Sequence, residues 1–149
     1  QSKTIEIVYK QEQSYKGKKA KIDTADLKLC DGVSLYSIRK NSMSNSSTSE
    51  TSFSIDLSDE IDFLSLLHTE RMERWTKDYV FTKPYIVYEN GKINWMITSE
   101  KKKIGPFSAT KAQAAFKGRN YVAWFSDEIP VQSGPWKLAG LPGLILEAK

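Results

Sequence analysis

The chain holds one cysteine, Cys30, and one histidine, His68. A thiolate activated by an imidazole is the nucleophilic chemistry such a pair could perform. Cys30 sits in a strand-like context, and no local basic setting is evident to favour its thiolate. Adjacent carboxylates occur at Asp59-Glu60 and at Asp127-Glu128, and paired carboxylates can do general acid–base work. Both pairs read more simply as helix-start charges or solvated loop residues. His68 and Met72 would lie one helical turn apart and could offer a soft metal two ligands, but two ligands do not make a metal site. A lone cysteine excludes an internal disulfide and a zinc cage built from several cysteines. There is no phosphate loop, dinucleotide fingerprint or metal-ligand spacing. No catalytic, cofactor-binding or metal residue is therefore assigned. A hydrolase using Cys30 or a carboxylate pair stays as an alternative, testable by a Cys30→Ala, His68→Ala double variant.

The elements that would position these side chains are mostly strands. Ile5, Ile7 and Tyr9 alternate with Glu6, Val8 and Lys10, as in a half-buried strand. Lys16, Lys18, Lys19 and Lys21 surround Gly17 and read as a solvated turn, since no helix start follows to bind phosphate. Further strands are expected around a turn at Asp31-Gly32. Residues 41–52 form a low-complexity polar stretch, expected to be a mobile loop. It contains Asn45-Ser46-Ser47, a formal glycosylation acceptor. Ile61, Leu64, Leu67, His68 and Met72 recur at helical spacing and predict a helix over 59–75, with Ser58 or Asp59 as cap.

Beyond it the pattern returns to strands. Asn90-Gly91 between Pro84–Tyr88 and Ile93–Ile97 predicts a two-residue hairpin. Glu89 would face Lys92, Tyr88 would face Ile93, and Ile86 would face Trp95. The core face would carry Ile86, Tyr88, Ile93, Trp95 and Ile97. Turns are expected at Gly105-Pro106 and Lys117-Gly118. Tyr121–Phe125 is apolar on both faces and reads as a central strand, with Ala112, Ala114 and Ala115 on its partner leaving room for its rings. Pro142-Gly143 would occupy the centre of a type II turn, followed by a short buried strand at Leu144-Ile145-Leu146.

One domain of 149 residues can bury a core without staples. Four Trp, seven Tyr and six Phe favour strands over disorder. The net charge of +4 is below what a dedicated nucleic-acid binder carries, and no apolar run is long enough to span a membrane. The chain opens on Gln1 without an apolar leader, as cleavage of a signal peptide would leave it.

From Ile93 onward the sequence resembles the GLPGLI family. The resemblance rests on Ile93, Trp95, Glu100–Ile104, Lys111-Ala112, Phe116–Tyr121, Ala123-Trp124-Phe125, Glu128-Ile129-Pro130, Gly134-Pro135 and Gly140-Leu141-Pro142-Gly143-Leu144-Ile145. It implies export in a Gram-negative bacterium, to the periplasm or the outer membrane, and transfers no catalytic or cofactor role. Trp124, Pro130, Gly134, Pro135, Gly140, Leu141, Pro142, Gly143, Leu144 and Ile145 are accordingly taken as structural or interface positions. Many members carry a cysteine near Ala109 or Thr110, and most continue past the motif, so a C-terminally shortened version is expected. Asp23-Thr24-Ala25 resembles an O-glycosylation acceptor of some exported proteins, with an ordinary turn or cap as the simpler reading.

The expected architecture is mainly β with one helix (α+β): a curved antiparallel sheet or half-barrel with the helix packed against it. The expected role is a non-enzymatic accessory subunit for an outer-membrane protein partner, with no nucleic acid, no transmembrane segment and no cofactor. A periplasmic carrier of an apolar ligand or lipid is the alternative. It requires an open apolar cavity.

Overall fold

A computed structural model describes residues 3–13, 21–39 and 61–149. Ten strands follow one another: β1 (Ile5–Gln13), β2 (Lys21–Cys30), β3 (Val33–Arg39), β4 (Ile61–His68), β5 (Glu73–Val80), β6 (Lys83–Asn90), β7 (Met96–Ile104), β8 (Phe107–Phe116), β9 (Arg119–Ser126) and β10 (Leu144–Ala148). They form two antiparallel sheets of sequential neighbours, β1-β2-β3-β4-β5-β6 and β10-β9-β8-β7. The expected α+β architecture is therefore wrong: no helix occurs among the described residues, and there are two sheets in place of one sheet with a helix.

The predicted helix over 59–75 is two strands and a turn. β4 lies between β3 and β5, with Leu64, Ser65 and Leu67 all buried. A strand covered on both faces loses its period-two signature, and its apolar residues then fall by chance at helical spacing. The four residues after it turn the chain back. Thr69 fixes this turn by donating its backbone N–H (2.8 Å) and its hydroxyl (2.9 Å) to the Gly32 carbonyl. Met72 closes it with φ 54° and a buried side chain. The proposed caps Ser58 and Asp59, Glu60, the stretch 41–52 and the basic tip around Gly17 lie outside the described residues. Asp23-Thr24-Ala25 is neither turn nor cap but the middle of β2.

Asn90-Gly91 does not make a hairpin either. β6 pairs with β5, Glu89 opposite Arg74 and Ile86 opposite Lys77, while β7 pairs with β8. After Gly91 the chain leaves the first sheet and crosses to the second. Ile93 is buried on the way, and the Trp95 indole N–H is held by the Ala139 carbonyl at 2.9 Å. The expected core face splits accordingly, since Ile86, Tyr88 and Ile97 are exposed.

Other turns match their residues. Asp31-Gly32 and Lys117-Gly118 have both φ values positive, the geometry of the tight hairpin turn whose twist suits antiparallel strands. Gly105-Pro106 joins Ile104 to Phe107 in register. β9 lies inside its sheet, between β8 and β10, with Ala123 opposite Ala112 and Tyr121 opposite Ala114.

The connection over 127–143 carries no strand and runs between the two sheets. Its Leu138 and Leu141 join Ala112, Ala123, Phe125 and Ile145 in one core. Leu144 belongs to a second core with Tyr9, Ala25, Leu27, Leu29, Tyr36 and Ile38. Successive strand residues point to opposite sides, so Leu144 and Ile145 each serve a different core. Both are fully buried, which at about 1.5–3 kcal/mol per side chain is a large share of what holds the sheets together. Tyr9 adds a buried hydrogen bond from its hydroxyl to the Ile145 carbonyl (2.7 Å), and Ser133 donates its hydroxyl to that of Ser34 (2.9 Å).

Candidate functional site

Of the motif residues, Pro130, Gly134, Pro135, Gly140, Leu141, Pro142 and Gly143 lie in this inter-sheet connection, and Leu144 and Ile145 open β10. Gly143 does not take the positive φ that the expected type II turn requires; among the motif glycines it is Gly140 that does, at 93°. A Cβ on Gly143 would instead stand 2.1 Å from the Ser126 carbonyl oxygen and 2.8 Å from the Asp127 nitrogen. The glycine is needed because one backbone passes directly over another. A Cβ on Gly134 would meet the Ile145 Cβ at 2.7 Å. Pro130 and Pro142 are exposed, Pro135 is half-buried, and Gly134 and Leu141 are buried. Trp124 stands apart, half-buried on β9 with the Lys102 ammonium 4.4 Å over its ring, and Lys102 also pairs with Glu147 at 2.7 Å.

The thiol–imidazole pair does not assemble. Cys30 pairs with Val33, and Val33 pairs with His68. The two side chains share a face but are separated by a whole strand, about 10 Å at the usual strand spacing. That is beyond a hydrogen bond. Asp127 and Glu128 are exposed, and Glu128 accepts the Ser108 backbone N–H at 2.8 Å. No group of His, Cys, Asp or Glu that could hold a metal occurs among the described residues. His68 and Met72 sit in a strand and the turn after it, not one helical turn apart.

Two features were not anticipated. The first is a charge cluster between the sheets. The Glu89 carboxylate accepts from Lys117 on one oxygen and from Lys137 on the other, the latter at 2.9 Å. Arg74, its cross-strand neighbour on β5, is buried, and its Nε has no hydrogen-bond partner among the described residues. Burial pushes the Arg74 guanidinium below its ordinary range, partly offset by Glu89. Burial pushes the Glu89 carboxyl up, but the two lysines outweigh it and hold the group below the usual carboxylate range. Beside the cluster, Trp136 packs against Phe116 and Tyr121 with ring centroids 6.3 and 5.9 Å away.

The second is the β5–β6 hairpin. Tyr79, Val80, Phe81, Tyr85, Ile86, Val87 and Tyr88 are all exposed, Phe81 completely. Tyr85 and Val87 alternate with Ile86 and Tyr88 along β6, so both faces of this edge strand are apolar and open. At the tip Val80 pairs with Lys83 across Phe81-Thr82, and Phe81 has φ 56° while Thr82 has no positive φ. That is the turn position where glycine is normally required. A bulky residue there is a genuine outlier and costs about 1–2 kcal/mol of backbone strain. The sequence signal available was Tyr79-Val80-Phe81 ahead of Lys83-Pro84, an apolar run ending in a turn without turn residues.

Residues 113–147 match the family described as "Protein of unknown function (Porph_ging)". No curated protein matches the chain.

Proposed function

We propose that this chain is a non-enzymatic, exported accessory subunit of GLPGLI type that docks onto an outer-membrane protein through its β5–β6 hairpin. The observation that carries the reading is Phe81: fully exposed, held in a conformation that costs stability, at the tip of a hairpin apolar on both faces. Strain kept at an exposed position points to a use for the side chain. An exposed edge strand is a ready template for a partner strand, and in β6 the residues that blunt such an edge, Lys83, Pro84 and Glu89, stand at its two ends and leave Tyr85–Tyr88 between them uncharged. A patch of this kind is what a docking surface offers and what a free monomer ordinarily avoids.

The carrier reading draws no support, because Leu138, Leu141, Leu144 and Ile145 fill the space between the sheets. The thiol version of the hydrolase reading draws none either, given the strand that separates Cys30 from His68. Export is tested by fractionating the producing cells, where recovery in the cytosol would contradict it. Docking is tested by co-purification from detergent-solubilised envelopes: recovery with an outer-membrane protein is expected from the native chain and not from a Phe81→Asp, Ile86→Asp variant. Equal recovery with both would refute the hairpin as the contact.

A further inference from the structure

We propose that Arg74, Lys117 and Lys137 form a binding site for a single oxyanion, a carboxylate or phosphate group, beside Glu89 at the junction of the two sheets. Charge at this junction is unbalanced, with three cations around one carboxylate. Two lysines take the two oxygens of that carboxylate, and a third cation, Arg74, stands opposite it across the strand pair without an ion pair to it. Arg74 has Glu89 as its cross-strand neighbour but receives no hydrogen bond acceptor at Nε among the described residues, although only 6% of the residue is exposed.

A buried, incompletely paired cation is costly, and such a group calls for something to complete it, of which a bound anion is the partner that also balances its charge. Here the missing component is negative and has at least one acceptor oxygen. The guanidinium fork suits the two oxygens of a carboxylate or phosphate, and the lysines add point charge. Access is graded in the way a site needs. The Lys117 side chain is 41% exposed and stands at the lip, whereas that of Lys137 is 11% exposed and lies deeper. The three cations come from β5, the β8–β9 turn and the inter-sheet connection. An anion held by all three would therefore clamp both sheets, and binding should appear as stabilisation. This inference is independent of the hairpin reading.

The test measures the unfolding midpoint and calorimetric binding of the whole chain with sodium phosphate and with sodium acetate, against sodium chloride at equal ionic strength. The chloride arm removes screening, and a variant removes the general effect of excluded salts. Saturable binding of phosphate or acetate is expected, with a midpoint above that in chloride. Lys117→Gln, at the exposed lip, should weaken it about tenfold, the size of one charge-assisted hydrogen bond. Glu89→Gln should tighten it by a similar factor, because it removes the competing carboxylate. A purely structural salt bridge would not give that gain. Preference for phosphate assigns the site to a phosphorylated ligand, and preference for acetate to a carboxylate. Anions no more effective than chloride, or unchanged binding in both variants, would overturn the proposal.

Discussion

Replacing Gly143 by alanine adds one methyl group where the backbone of β9 leaves no room. The new Cβ would lie 2.1 Å from the Ser126 carbonyl oxygen, 2.5 Å from the Ser126 carbonyl carbon and 2.8 Å from the Asp127 nitrogen. All three are backbone atoms, so no side chain can rotate away. The connection must lift from β9, and that shift pulls on Leu144 and Ile145, which hold the two cores. Inserting a methylene into a well-packed site costs about 1–3 kcal/mol, and a backbone obstacle places this variant at about 3 kcal/mol or above. For a domain of this size that is a fall of about 10 °C in unfolding midpoint. Gly118→Ala is the control. Its Cβ meets nothing within 4 Å, but its φ is +74°, so only the left-handed backbone cost of about 1–2 kcal/mol applies. Thermal and denaturant unfolding of the two variants should separate crowding from backbone preference. Gly143→Ala unfolding at the native midpoint, or no less stable than Gly118→Ala, would refute the crowding argument. Equal stability with lost partner binding would mean that the motif is a contact surface and not an internal clamp.

Phe81→Gly should leave the unfolding midpoint unchanged or raise it by about 2 °C, since glycine relieves the strain at the turn but enlarges the unfolded ensemble; a clear loss of stability would show that Phe81 packs within the molecule. Alkaline pH should destabilise the protein through its buried phenols. Burial pushes Tyr36 up to about 12, and raises Tyr9 further with help from Tyr36. Both folded values lie above the unfolded one, so this stability is complete below about pH 10 and is lost as pH rises through about 12. The unfolding midpoint and the tyrosinate absorbance followed across that range should show it, and a Tyr9→Phe, Tyr36→Phe variant with the native alkaline slope would contradict it.

Where the fold depends on local backbone chemistry, the sequence could be read directly. Asp31-Gly32 and Lys117-Gly118 mark hairpins because those residues accept positive φ, and β1 alternates because Ile7 and Tyr9 face the core while Glu6, Val8 and Lys10 face outward. Reading failed where a long-range neighbour decides. β4 is covered on both faces, so its pattern resembles a helix. Asn90-Gly91 has the composition of a hairpin turn, but β6 is already paired through β5, and the chain uses the glycine to leave the sheet. The motif could be recognised from the sequence, yet the reason for Gly143 could not, because the atoms that exclude a side chain belong to Ser126, at the end of β9, and to Asp127 just after it. Arg74 and Glu89 are likewise far apart in sequence, and only the strand register places them side by side.

The docking reading is tested most directly by a photo-crosslinking residue at Phe81 in the producing bacterium, beside matched positions at Ile86 and at exposed Glu6 on the opposite edge strand. Adducts to the same outer-membrane protein from Phe81 and Ile86, and none from Glu6, are the expected result. No adduct from a folded Phe81 variant, or the same adduct from Glu6, would contradict it.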